Sequence, residues 1–215
     1  MTRIALIHAL AHSVAPINTA LARDWPEAVR MNLLDDSLSA DLAASGRGLD
    51  AAMHARFARL AQYAVDCGSQ GILFTCSAFG PCIEAVARQH APLPVLKPNE
   101  AMVADAVALG GPVGLIASFA PTLQSMPPEF PAGTQLHTAL VAEALAALNA
   151  GDGARHDALV AEAGEQLRQQ GAQVIALAQF SMARARDRVA ARTGLPVLTT
   201  VDSAVRALRG RLAKI

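Results

Sequence analysis

Residues 71–85 read GILFTCSAFGPCIEA and place Cys76 where a short apolar run gives way to a helical one. A thiol at the carboxyl end of a buried strand, in front of a helix, meets free backbone N–H groups and the positive end of the helix dipole. Such a field is expected to pull the Cys76 thiol below the free value of about 8.5, towards a thiolate that takes protons or attacks carbon. The same N–H groups suit a carboxylate ligand. Cys67 and Cys82 are better read as small buried hydrophobes. Three cysteines without C-x2-C pairs or matched histidines fit neither a disulfide scaffold nor a zinc site, so no metal is expected.

Positioning such a group requires strands that end together. Apolar runs recur at 3–8, 71–75, 94–97, 113–117, 173–178 and 196–199, with weaker ones at 29–33 and 135–139. They lack the alternation of a half-wet sheet, which favours buried parallel strands. Alanine-rich segments with helical spacing lie between them, at 50–67, 99–109, 154–170 and 201–213. The expected class is α/β, with helices on both faces of parallel sheets. The four prolines of SMPPEFPAGT (125–134) mark an expected crossing between halves.

The chain also repeats itself. GSQGILFTCSA from Gly68 matches GAQVIALAQFS from Gly171, 103 residues on, so that Cys76 meets Gln179. PVLKPNEAMVADAV from Pro94 matches PVLTTVDSAVRAL from Pro196, 102 on, and IALIHALAHS from Ile4 matches VGLIASFAPT from Val113, 109 on. Two related lobes are expected, drawn approximately at 1–110 and 111–215, with Cys76 in one and Gln179 in the other. Ligands of open α/β sheets sit beyond the carboxyl ends of the strands. The candidates are therefore His8 to Ser13, Cys76 to Ala78, Lys97 to Asn99, Ala117 to Phe119, Gln179 to Ser181, Thr199 and Thr200, around an expected cleft between the lobes.

Composition narrows the partners. The 18 basic and 18 acidic residues cancel, and no Lys or Arg cluster is interleaved with aromatics, so nucleic acid and anionic membrane are poor partners. His8 interrupts the first apolar run and no signal-type cleavage site follows, so a buried first strand in a cytoplasmic protein is expected. The 53% hydrophobic content, with mean hydropathy +0.30, exceeds that of an average soluble domain and points to a homodimer or higher homo-oligomer.

ILFTCSAFG, VIALAQFS, GLIASFAPTL and LPVLTTVDSAVRAL, in this order and spacing, resemble the cofactor-independent aspartate/glutamate/hydantoin racemase superfamily, which includes arylmalonate decarboxylase and maleate isomerase. The resemblance implies two pseudo-symmetric α/β lobes and no cofactor. It also implies one cysteine per lobe in the racemases: one thiolate removes the proton next to a carboxylate and the other thiol returns one on the opposite face. Cys76 falls on the first-lobe position, but the second-lobe position, usually cysteine followed by threonine, is Gln179 followed by Phe180. Glutamine carries no titratable proton, so two-face exchange loses one partner.

What the resemblance then implies is one-sided chemistry, isomerase-like or decarboxylase-like, at carbon next to the carboxylate of a small molecule. Cys76 is the acid or base, and Ser77 with the backbone at Ala78 holds the carboxylate. The alternative is a silent carboxylate-binding protein. His8 is either a replacement base or a hydrogen-bonded structural histidine. Lys97 pairs either with a ligand carboxylate or with Glu100. Gln179 either bonds substrate or fills the vacated thiol space. Ser118, Phe119, Phe180 and Ser181 complete the substrate-side candidates, although family members often carry a polar residue where Phe119 stands. Asp35 and Asp36 read as a turn capped by Ser37 or Ser39, and Met31 and Met126 as core.

Overall fold

Every apolar run becomes a parallel strand, because a continuous Val, Ile, Leu and Ala run can be buried on both faces only when helices cover both. The computed structural model describes residues 2–213. Its first unit runs to Pro98 and takes up the chain again from Ala204; the second is Asn99–Ser203. The first unit orders as β1 (Arg3–His8), α1 (Val14–Asp24), β2 (Val29–Leu34), α2 (Ser37–Ser45), α3 (Ala51–Asp66), β3 (Gly71–Phe74), α4 (Gly80–Gln89) and β4 (Val95–Leu96). The second orders as α5 (Glu100–Leu109), β5 (Val113–Ala117), α6 (Ala120–Ser125), β6 (Leu136–Leu140), α7 (Ala142–Asn149), α8 (Gly153–Gln169), β7 (Val174–Leu177), α9 (Arg186–Thr193) and β8 (Val197–Thr199). The last helix, α10 (Thr200–Leu212), starts in the second unit and continues in the first.

The two four-stranded parallel sheets have one order, β2-β1-β3-β4 and β6-β5-β7-β8. Their registers agree residue by residue. Ile4 lies opposite Gly71 and Ile72 opposite Val95; Val113 lies opposite Val174 and Ile175 opposite Val197. These partners are related by the same spacings of 109, 103 and 102 that the sequence repeats show. The weakly signalled strands, β2 and β6, are the half-exposed edges of their sheets, where Arg30, Asn32, His137 and Thr138 dilute the apolar run.

In the second unit the faces separate by alternation. Val113, Leu115, Ala117, Val174 and Ala176 pack with Met102, Val103 and Ala106 of α5; Ile116, Ile175 and Leu177 pack with Val160, Ala163 and Leu167 of α8 and Val189 of α9. The proline-rich segment 125–134 is not a crossing between halves. It lies within the second unit because Met126 and Phe130 are buried against the α5 face of the sheet. Met126 is core as expected, and Met31 is half-buried on the edge strand. Among the described residues, no helix is long and apolar enough to cross a membrane.

Candidate active site

In the first unit, Cys76 follows β3 in extended backbone (φ −119°, ψ 121°) and a single 3-10 turn, Ser77–Phe79, separates it from α4. The helix therefore begins four residues beyond the cysteine, at Gly80. The N–H of Ala78 reaches the sulfur, and the Ser39 hydroxyl of α2 lies 4.0 Å from it. A small pocket beside the thiol is lined by Ile7, His8, Ala9, Leu38, Phe57 and Phe74 and is too narrow for water. Phe57 of α3 stacks on Phe74 at 5.2 Å between centroids and meets Phe79 at 4.9 Å, so aromatic rings bracket Cys76 in the chain.

These surroundings reverse the expected titration. Burial pushes the Cys76 thiol above its ordinary value, and the Ala78 N–H and Ser39 hydroxyl pull the other way without overcoming it. The physical reason is geometric: one N–H of a short 3-10 turn replaces the open end of a long helix, while Leu38, Phe57 and Phe74 lie against the half-buried cysteine. Cys76 rests as a protonated thiol. Cys82, fully buried on α4, is pushed up to about 11 by burial and is core, as expected.

His8 is also fully buried, and both its ring nitrogens are engaged. Nε2 lies 3.0 Å from Asn32 Oδ1, an acceptor, which makes Nε2 the donor. Nδ1 lies 2.8 Å from the Thr75 hydroxyl and 3.0 Å from that of Ser13, which itself donates to the Leu10 carbonyl at 2.7 Å. The neutral ring, held as its Nε2–H tautomer, satisfies this set, and burial lowers its pKa while the Asn32 bond raises it less. Of the two roles open to His8, this geometry matches the structural one. The ring ties the end of β1 to Thr75, the residue before Cys76.

The second unit repeats the backbone with different side chains. Gln179 follows β7 in extended backbone (φ −135°, ψ 145°), as Phe119 does after β5 (φ −131°, ψ 118°). The Gln179 Oε1 accepts from the Ser118 N–H at 2.5 Å and from the Ser118 hydroxyl at 3.1 Å. Because an N–H can only donate, this contact fixes the carboxamide orientation, with Oε1 on Ser118 and the two Nε2 hydrogens on the other side. Phe180 and Ser181 are buried, and the Ser181 hydroxyl has no hydrogen-bond partner among the described residues. Phe119 remains half-buried.

The structure thus gathers His8, Cys76, Ser77 and Ala78 at one strand-end edge of the first unit, and Ser118, Phe119, Gln179, Phe180 and Ser181 at that of the second. Lys97 extends its ammonium to Glu84 of α4, at 2.7 Å. Sequence reasoning overlooked Thr75, Asn32 and Arg56. Arg56 of α3 bonds Asp35 at 2.8 Å, Asp41 at 2.5 Å and the Ser37 hydroxyl at 2.5 Å. Ser37 donates to Asp35 at 2.5 Å, so it closes this cluster and does not cap α2. Among the described residues, no group of three or more His, Cys, Asp and Glu could hold a metal ion.

A sequence model of the Asp/Glu/hydantoin racemase family matches residues 11–208. A search of curated protein sequences finds no match. Among solved structures, a glutamate racemase from Bacillus anthracis superposes with a TM-score of 0.78 at 12% identity, over 99% of this chain and 82% of that one. Allantoin racemase from Klebsiella pneumoniae gives 0.74 at 15% identity, over 100% and 89%. Aspartate racemase from Picrophilus torridus gives 0.73 at 11% identity, over 100% and 94%. At these identities the structural likeness is one of fold. The family match over residues 11–208, on a duplicated pair of parallel sheets, makes the chain a member of the Asp/Glu/hydantoin racemase family.

Proposed function

We propose that the protein is a cofactor-independent enzyme that transfers a proton at the carbon next to a carboxylate of a small molecule, with Cys76 as its single titratable proton carrier. One observation carries this reading. At equivalent ends of β3 and β7, in the same extended backbone, stand a thiol and a carboxamide. The carboxamide has no proton to give or take, so chemistry on its side is limited to hydrogen bonding. With Oε1 committed to Ser118, Gln179 offers its Nε2 hydrogens, which suit a carboxylate or the oxygens of a developing enediolate.

A thiol held protonated by burial favours the acid over the base. In the decarboxylase form, carbon dioxide leaves and its bonding pair stays on carbon as an enediolate. The Cys76 S–H then gives its proton to that carbon, and the thiolate left behind, held by the Ala78 N–H, regains a proton from water. In the isomerase form the minor thiolate takes the proton from one carbon and the resulting S–H returns it, on the same face, to the neighbouring carbon of the enediolate system, so that the double bond moves and the sulfur ends as it began. Glutamate, aspartate and allantoin racemases share the fold, which supports a small substrate of this chemical kind.

Turnover of 2-substituted malonates and resolved amino acids in deuterated water, followed by NMR and chiral chromatography, tests the reading. Deuterium is expected in a single enantiomer, and Cys76→Ala should lose at least about 10²-fold in rate while staying folded. Wild-type protein that racemises a resolved amino acid at roughly 1 to 10³ s⁻¹ overturns the one-thiol mechanism. The upward titration of Cys76 also favours a second reading, a carboxylate binder without turnover. That reading requires Cys76→Ala to bind the carboxylate as tightly as wild type, with no substrate converted by either.

A further inference from the structure

The cluster around Arg56 lies outside the proton-transfer chemistry, yet it is built onto the helix that faces the thiol. Helix α2 presents Leu38 and Ser39 towards Cys76: Leu38 is fully buried in the pocket beside the sulfur, and the Ser39 hydroxyl reaches it at 4.0 Å. The rest of α2 has little to anchor it, since Leu38 and Leu42 are its only buried residues. What fastens it is the guanidinium. Arg56 grips Asp35 in front of the helix, Ser37 at its first position and Asp41 in its middle, and the Ser37 hydroxyl closes back on Asp35. The grip is partly shielded, with the Arg56 and Asp35 side chains 25% and 28% exposed, so it is worth more than an open surface pair. The neighbouring residue on α3, Phe57, faces inward and stacks on Phe74. One helix therefore carries, in successive residues, the floor beside the thiol and the clasp on its cover.

We propose that α2 is the cover of the Cys76 thiol and that Arg56 is the positioning residue that latches it, setting how far the sulfur is open to small molecules. Releasing the latch lets α2 swing on the β2 end, moves Ser39 and Leu38 away, and exposes the sulfur. A planar fork that bonds two carboxylates and a hydroxyl at once is something lysine, a point charge, reproduces only in part. The proposal rests on Cys76 being the working group, but the latch is measured by access to the sulfur and needs no turnover.

The test is alkylation of the full chain by iodoacetamide under native conditions, with mass spectrometry resolving the adduct at each cysteine. Arg56→Gln should raise the rate at Cys76 at least about tenfold, Asp41→Asn at least about threefold, and Arg56→Lys should fall between wild type and Arg56→Gln. Cys82, fully buried on α4 of the same unit, is the internal control and should stay unlabelled. A general loosening of the unit raises Cys76 and Cys82 together; that pattern in Asp41→Asn, whose side chain is 58% exposed, overturns the latch. So does a Cys76 rate within twofold of wild type in both Arg56→Gln and Asp41→Asn. Should Arg56→Gln fail to fold, Asp41→Asn alone decides. If the latch holds but Cys76→Ala retains turnover, the cover stands and the catalytic reading of Cys76 falls.

Discussion

The bond between Gln179 and Ser118 makes structure and chemistry separable at one position. Gln179→Leu keeps the approximate volume but leaves the Ser118 N–H, on a residue 2% exposed, without an acceptor. The Ser118 hydroxyl can rotate to another partner; the backbone N–H cannot. An unmet buried donor costs about 1–3 kcal/mol, and about 2 kcal/mol lowers the melting temperature of a chain this size by roughly 4–8 °C. Gln179→Glu behaves differently. Its carboxylate accepts from both Ser118 donors, in charge-assisted bonds that offset part of the cost of its burial. Stability should stay within about 1 kcal/mol of wild type at pH 7. Its chemistry, however, is reversed, because the two Nε2 donors are gone and a negative charge faces any carboxylate ligand. Urea denaturation by circular dichroism, with hydrogen exchange read at the Ser118 amide, measures the first effect; KM on any substrate found measures the second. A Leu variant within about 0.3 kcal/mol of wild type refutes the bond, and so does a Glu variant as unstable as the Leu one.

Two further outcomes concern stability. Burial holds His8 neutral with its pKa below the ordinary 6.5, so the unfolded chain takes up the proton first. Stability should therefore fall as pH drops through about 6.5, by up to about 1.4 kcal/mol per pH unit, until the folded value is reached. His8→Gln should flatten that slope in urea titrations between pH 7.5 and 5.5; an unchanged slope rules out His8 as its source. For packing, a Cβ at Gly114 of β5 meets Ile175 Cδ1 at 2.9 Å, Ala172 Cβ at 3.1 Å and Leu167 Cβ at 3.2 Å, whereas one at Gly210 of α10 meets nothing within 4 Å. Gly114→Ala should cost about 1–3 kcal/mol and Gly210→Ala should gain about 0.5–1 kcal/mol; equal effects on thermal melting would contradict the packing described.

The sheets were legible in the sequence because parallel strands buried on both faces are continuous apolar runs, and because duplication supplied a second reading of each. The spacing of 103 residues from Gly71 to Val174 is visible in the letters and returns as strand register. Helices with narrow apolar stripes were less legible. Helix α9 buries only Val189 and Thr193 amid three arginines and one aspartate, and α1 carries Pro16 in its first turn. At the candidate site, type and position single out Cys76 and Gln179 in the sequence. The direction of the thiol titration is not legible there, because it depends on how many N–H groups reach the sulfur and on Leu38, Phe57 and Phe74 around it. Arg56 and Asn32 were overlooked for the same reason: an arginine in a helix and an asparagine in an edge strand look like surface until their partners, distant in sequence, are known.

The two lobes solve one problem, tying the first strand of the sheet to its neighbour at the carboxyl end, at adjacent positions. In the first lobe the tie lies between His8 and Thr75. The repeat places Ala117 and Ala178 there in the second lobe, where no such bond can form, and the tie moves one residue on, to Ser118 and Gln179. Successive side chains of a strand point to opposite faces, so this shift of one residue changes what the tie uses up. In the first lobe it uses Thr75, the residue before Cys76, and leaves the Cys76 sulfur uncommitted to it. In the second it uses the residue equivalent to Cys76, taking the side-chain acceptor of Gln179. The missing thiol is therefore part of an exchanged framework: cysteine at 179 would lose the bond to Ser118, with only Ala117 and Ala178 behind it. Under the proposed one-thiol chemistry, a second thiol at 179 is expected to need the tie rebuilt behind it, and the triple change Ala117→His with Ala178→Thr and Gln179→Cys is the one the repeat specifies.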